Sequence, residues 1–100
     1  MDEAGRGELF WPDGRRWGVV EYEIDVTPPT LADLGRIRGT LRPIPRSRTP
    51  MPFYDIALSP GNASAALQLA DGRWWLCLLQ PDGIATNAGG IHPAGPQPSR

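Results

Sequence analysis

Lysine is absent from this chain of 100 residues, and all 10 of its basic residues are arginine. The 11 acidic residues bring the formal net charge to -1, so no overall positive field draws the protein to nucleic acid or to an anionic membrane. No apolar run approaches the length of a membrane span, and the acidic first residues, MDEAGRGE, lack the apolar stretch of a signal peptide. We therefore expect a cytoplasmic protein with no membrane contact.

Cysteine and histidine occur once each, which narrows the chemistry open to the chain. A single cysteine, Cys77, excludes an internal disulfide and any metal site built from cysteines. Nucleophilic catalysis needs a base beside the nucleophile, and the only histidine, His92, lies in a Pro- and Gly-rich tail. No glycine-rich phosphate-binding motif precedes a helical pattern. We expect a protein that is not an enzyme and that takes no cofactor and no metal.

Glycine and proline, with 12 residues each, divide the chain into short segments. Two segments alternate apolar with charged residues, as half-buried strands do: residues 17–26 read WGVVEYEIDV and residues 35–44 read GRIRGTLRPI. Asp-Gly pairs at 13–14, 71–72 and 82–83 predict tight hairpin turns. With a two-residue turn, the hairpin around 71–72 places Leu67 opposite Leu76 and Leu69 opposite Trp74.

The absence of sustained helical periodicity makes the predicted fold all-β. Residues 53–59, FYDIALS, are assigned to one of the strands, with a helical turn as the alternative. Short segments separated by frequent turn signals are typical of barrels and sandwiches. We expect a small, partly open antiparallel β-barrel of about six or seven short strands, with a compact β-sandwich as the alternative.

The β domain is expected to span residues 8–88. A flexible N-terminus, residues 1–7, precedes it, and a flexible Pro- and Gly-rich tail, residues 89–100, follows it. A partly open barrel would leave edge strands on which a second copy of the chain could pair.

The two alternating strands carry opposite charges on their outward faces. If they pair as an antiparallel hairpin around the loop TPPTLADL, Asp25 lies opposite Arg36 and Glu23 opposite Arg38. Such a ladder is structural, and it accounts for two of the five arginines between residues 36 and 48.

The four tryptophans stand beside arginines or beside one another. Because side chains alternate along a strand, Trp74 and Trp75 point to opposite faces, so one fills the core and the other is covered or open to a partner. A two-residue first turn would place Trp11 beside Arg16, just before Trp17. Aromatic residues with arginine are enriched in protein interfaces. The alternative is that the tryptophans simply form the core of a small domain.

The predicted function is binding to another protein, as a regulator, accessory subunit or inhibitor of bacterial or phage context. Residues 34–50 contain no acidic residue, so Arg42, Arg46 and Arg48 have no obvious partner. The alternative function is nucleic-acid binding through this Arg42–Arg48 patch. The residues assigned to partner binding are Trp11, Trp17, Trp74, Trp75, Arg15, Arg16, Arg42, Arg46 and Arg48.

Overall fold

A computed structural model describes residues 2–32, 34–46, 48–58 and 64–98. Six strands and one short helix follow one another along the chain: β1 (Asp2–Phe10), β2 (Arg16–Thr27), β3 (Arg36–Pro43), α1 (Tyr54–Ala57), β4 (Ala65–Gln68), β5 (Trp74–Leu79) and β6 (Ile84–His92).

The strands form a closed antiparallel barrel in the order β1-β2-β3-β6-β5-β4. The prediction of a small antiparallel β-barrel is confirmed. The barrel consists of two three-stranded meanders, β1-β2-β3 and β4-β5-β6, which meet at two seams, between β1 and β4 and between β3 and β6. Each of these described strands therefore has a neighbour on both sides. Closure removes the open edge on which pairing with a second copy was predicted.

The strand alternation determines what enters the barrel. On β2, Val20, Tyr22 and Ile24 are buried, whereas Glu23 and Asp25, the acidic residues on either side of Ile24, are exposed. The phenol of Tyr22 accepts a hydrogen bond from the backbone N–H of Ala70 at 2.9 Å, so its polar end is satisfied. The interior is completed mainly by these side chains from the other elements: Leu9, Leu41, Phe53, Ile56, Leu67, Leu69, Trp75, Cys77 and Ala85.

The two chain ends contribute more to the barrel than composition suggested. Residues 2–7, expected to be a flexible N-terminus, pair with β2 as the first part of β1, and residues 89–92 continue β6 along β5. Glycine allows this close packing: a Cβ added to Gly7 would lie 2.1 Å from the backbone oxygen of Gln68. Glycine in the N-terminal segment, which was expected to be flexible, is thus required because two neighbouring strands lie close together.

The strand expected over residues 53–59 is wrong, and the described part of this segment contains the helix Tyr54–Ala57. Phe53 and Ile56 are buried and anchor it to the barrel. The backbone N–H of Phe53 donates to the carbonyl of Pro81 at 3.0 Å, and that of Ala57 donates to the carbonyl of Phe53 at 2.8 Å. Phe53 and Ile56 are three residues apart, so a helical turn places both on one face. In a strand, the same spacing would place them on opposite faces.

The three Asp-Gly turns have one geometry, and each loop contains three residues where two were expected. In the second hairpin, Leu69 N–H bonds to the carbonyl of Arg73 at 2.7 Å, and Gly72 N–H bonds to the carbonyl of Leu69 at 3.0 Å. Gly72 has φ +93°, the left-handed conformation that such a loop needs at its third residue. The extra residue moves the register by one, so Leu67 lies opposite Trp75 and not opposite Leu76.

Candidate functional site

The arginine that follows each Asp-Gly pair is bound by its own turn. In the first hairpin, Arg15 donates through its backbone N–H to Asp13 Oδ1 at 3.0 Å and through Nε to Asp13 Oδ2 at 2.7 Å. Arg73 binds Asp71 in the same way, at 3.1 and 2.7 Å. The backbone N–H and then the guanidinium of the arginine lower the pKa of each aspartate. The repeated Asp-Gly-Arg is therefore a structural unit that occupies the same place in both meanders.

Two predicted interface arginines at the first hairpin already have partners within the chain. The guanidinium of Arg15 lies 4.9 Å from the centre of the Trp11 ring, in a cation–π contact. Arg16 pairs with Glu8 at 3.6 Å, and it lies opposite Phe10 and not beside Trp11 as predicted. The three-residue loop, which makes Trp11 the neighbour of Arg15, is the reason for this difference.

Trp74 and Trp75 point to opposite faces, as the alternation predicts, but neither is open to a partner. Trp75 is fully buried in the barrel core, and its indole N–H donates to Asn87 Oδ1 at 3.3 Å. Trp74 lies on the outside and is 5% exposed, because other residues cover it. Its indole N–H donates to the carbonyl of Gly95 at 2.8 Å. Trp75 thus fills the core, as expected for one of the two, and Trp74 is the covered one, so neither lies on an open surface although both were assigned to partner binding.

Trp11 and Trp17 are half-buried and pack against the core from one end of the barrel. The Trp17 ring lies 4.9 Å from that of Phe53, at an interplanar angle of 38°. Its indole N–H points at both carboxylate oxygens of Asp55, at 3.2 and 3.3 Å. Sequence reasoning missed Asp55, because no local pattern connects it with a tryptophan 38 positions earlier.

The connection between β3 and β4, which contacts Trp17 through Phe53 and Asp55, carries three large exposed apolar side chains. Met51, Tyr54 and Leu58 are 52, 60 and 58% exposed. We call these three residues and Trp17 the helix-side patch. Tyr54 lies in α1, Leu58 follows directly after it, and Met51 precedes it by three residues. The spacing of four between Tyr54 and Leu58 suits one helical face, whereas a strand would place Met51 opposite the other two. The strand assignment over residues 53–59 is the reason that sequence analysis missed this patch.

The charge ladder between β2 and β3 exists, with a register two residues away from the prediction. Arg38 lies opposite Asp25, Thr40 opposite Glu23, and Arg36 opposite Thr27. A shift of two keeps every side chain on its predicted face, so alternation alone cannot distinguish the two registers.

The predicted Arg42–Arg48 patch is smaller than expected because Arg42 is paired. Its guanidinium binds Glu23 at 3.3 Å, diagonally across the β2–β3 pair. Arg46 and Arg48 are exposed, and neither forms an ion pair with another residue that the structure describes.

A groove of about 510 Å³ lies beside the charge ladder. Its charged lining includes Asp2, Glu23 and Asp25 on one side and Arg38 on the other, so the groove has an excess of acidic groups. Within the described ranges, no three His, Cys, Asp or Glu side chains come together in a way that could hold a metal ion. The lining residues are Asp2, Glu3, Ala4, Glu23, Ile24, Asp25, Arg38, Gly39, Thr40 and Ile84.

Comparisons with protein-family models, with curated proteins and with solved structures found no match to this chain. In the part of the chain described above, no helix has the length and apolar character needed to cross a membrane.

Proposed function

We propose that this protein acts without catalysis, by binding another protein through the helix-side patch. The observation that carries the proposal is that Met51, Tyr54 and Leu58, within and beside the short helix α1, are each more than half exposed. The same segment contacts Trp17 through Phe53 and Asp55. Several exposed apolar side chains in one segment mark interaction sites on small domains more often than isolated exposed residues do.

The patch is suited to binding because its central ring is held in place before a partner arrives. Contacts with Phe53 and Asp55 fix the Trp17 ring, so little side-chain entropy remains to be lost on association. Full burial of each aliphatic or aromatic side chain contributes roughly 1.5–3 kcal/mol. Tyr54 adds a hydroxyl that can hydrogen-bond at the rim of such a contact.

The charge beside the patch indicates the chemistry of the partner. Arg48 precedes Met51 by three residues, and Arg46 lies two residues further back; both guanidinium groups are exposed. A partner with an apolar pocket bordered by carboxylates would satisfy both features, with the arginines setting orientation and association rate. We infer a regulator, accessory subunit or inhibitor, in a bacterial or phage context, that covers a surface of its partner.

The test is co-purification of the tagged full chain from its native host, with Tyr54→Ser/Leu58→Ser as the variant. We expect a stoichiometric protein partner that the wild type retains and the variant loses. Leu31→Ser/Leu34→Ser is the matched control, because these leucines are also exposed but lie in the β2–β3 loop. The control should keep the partner, and thermal unfolding of all three proteins should agree closely. Equal retention by wild type and patch variant, or no stoichiometric partner, would contradict the proposal.

Nucleic-acid binding through the Arg42–Arg48 patch is the second candidate function. It is supported by the exposed guanidinium groups of Arg46 and Arg48, and it is weakened by the ion pair between Arg42 and Glu23. The affinity for DNA or RNA should then fall with salt, and Arg46→Gln/Arg48→Gln should reduce the slope of log affinity against log salt by about 2. A salt slope that the double variant leaves unchanged would refute this candidate.

A further inference from the structure

The outer face of the barrel carries a small apolar cluster that is separate from the core. Its members are Ala66, Trp74 and Leu76, with Phe10 packed against them; we call these four residues the outer cluster. The Phe10 and Trp74 rings lie 5.3 Å apart and are tilted by 55° to one another. The pair offers apolar aromatic surface and, on Trp74, an indole N–H that can donate a hydrogen bond.

The chain's own C-terminal segment, residues 93–98, which reads PAGPQP, lies against this face. The carbonyl of Gly95 accepts the hydrogen bond from the Trp74 indole at 2.8 Å. Ala94 lies over the second hairpin turn, 3.3 Å from the position of a Cβ on Gly72. Gln97 reaches the first hairpin turn, 3.8 Å from the position of a Cβ on Gly14. The segment thus crosses the outer face from one turn to the other.

The groups that meet here are of the kinds by which proline-rich segments are recognised in general: a segment with three prolines, two aromatic rings and an indole N–H donor. Proline has no backbone N–H and leaves the carbonyls around it without partners in the chain, so a segment rich in proline needs donors from the surface it lies on. Aromatic-lined grooves bind such segments because proline rings pack against aromatic faces and the segment loses little conformational entropy. Phe10 and Trp74 supply the aromatic faces, and the Trp74 indole supplies the donor.

We infer that the outer cluster is a binding site for a proline-rich segment of a partner protein, and that residues 93–98 occupy it as an intramolecular substitute. This site is independent of the helix-side patch and does not rest on the function proposed there.

The tail is held weakly enough to be exchanged. Residues 93–96 are exposed, and only Gln97 and Pro98 are half-buried. Gly95 has φ +149°, a conformation that other residues rarely adopt, so the position of the tail depends on one glycine. Because the tail is tethered to the barrel, its effective concentration at the outer cluster is high, and it competes with a partner's segment. The partner's segment must therefore reach a higher concentration, or bind more tightly, to replace the tail.

The experiment uses the full chain with Gly95→Val, which strains the backbone at that position and releases the tail, while no atom lies close enough to clash with the new side chain. The probe is a synthetic peptide of the sequence HPAGPQP, and the control peptide replaces its three prolines by alanine. Binding is measured by calorimetry. We expect the proline peptide to bind Gly95→Val at least about tenfold more tightly than it binds the wild type. The alanine peptide should bind neither protein.

A second variant tests the donor itself. Adding Trp74→Phe to Gly95→Val keeps an aromatic ring and removes the indole N–H, and it should weaken the proline peptide by about three- to tenfold. Failure of Gly95→Val to bind the peptide, or equal binding of the two peptides, would overturn the inference. Sedimentation of the wild type tests one more outcome. If the wild type is a dimer that the peptide dissociates, the outer cluster binds the tail of a second copy, and the assignment to a different partner is overturned.

Discussion

Replacing Gly7 by alanine should open the seam between β1 and β4 and lower the stability of the whole barrel. Ordinarily, alanine stabilises a strand relative to glycine by roughly 0.5–1 kcal/mol, because glycine loses more backbone entropy on folding. At this position the new Cβ would lie 2.1 Å from the backbone oxygen of Gln68, a distance that real Cβ atoms essentially never show. The obstructing atom is backbone, so no side-chain rotation can relieve the contact.

The loss of stability in Gly7→Ala can be calculated from the pairing between β1 and β4. Relief of the clash requires the two strands to move roughly 1 Å apart. Only three residue pairs join β1 to β4, namely Glu8–Gln68, Leu9–Leu67 and Phe10–Ala66, so the movement weakens every bond at this seam. At about 0.5–1.5 kcal/mol for each hydrogen bond, the total loss is about 2–4 kcal/mol. For a domain of this size, the melting temperature should fall by roughly 10–25 °C.

Thermal and urea unfolding, followed by circular dichroism, measure the change. Arg6→Ala is the control, because it places an alanine on the exposed face of the same strand and should change stability by less than about 0.5 kcal/mol. If Gly7→Ala is as stable as the wild type or more stable, the β1–β4 seam does not close as described, and the close packing inferred for the N-terminal residues is wrong.

Three further predictions concern the buried thiol of Cys77, the exposed carboxylate of Asp71 and the half-buried ring of Trp17. Burial raises the pKa of the Cys77 thiol to about 12, so iodoacetamide should leave the native protein unmodified at mildly alkaline pH and label it fully in guanidinium; rapid native labelling would contradict the burial of this residue. The pKa of Asp71 lies below its ordinary 3.8, so its ion pair stabilises the fold above that pH and is lost as pH falls through the lower folded value. Asp71→Asn should accordingly flatten the acid limb of a plot of melting temperature against pH, and an unchanged limb would refute the assignment. Trp17→Ala should lower the free energy of unfolding by about 2 kcal/mol, because the ring is half-buried, and the variant should still fold. Complete unfolding of the variant would show that Trp17 is a core residue.

Local patterns in the sequence predict the architecture because each of them acts over a few residues. Alternation along residues 19–26 and 36–42 assigns the inward and outward faces of β2 and β3 correctly. The Asp-Gly pairs mark the three tight hairpin turns, β1–β2, β4–β5 and β5–β6, since glycine is needed for the left-handed position whatever surrounds it. The loop length was misjudged because a two-residue turn and a three-residue loop both use Asp-Gly, and only the backbone hydrogen bonds distinguish them.

The candidate binding surfaces depended on contacts between distant parts of the chain. Trp74 packs with Phe10 and hydrogen-bonds to Gly95, and Trp17 contacts Phe53 and Asp55. No property of a tryptophan within its own segment shows whether another segment will cover it.

The sequence by itself thus determined the all-β class, the two-faced strands and the turns, because periodicity and backbone conformational preference are local. The tertiary structure decided which side chains meet solvent, since exposure depends on what packs over a residue. It also decided that β1 begins at Asp2 and that the two alternating strands pair Asp25 with Arg38. The sequence pattern cannot show either of these features. The pattern of apolar and polar residues along a strand is the same whether or not another strand lies close to it, and the same in two registers that differ by two residues.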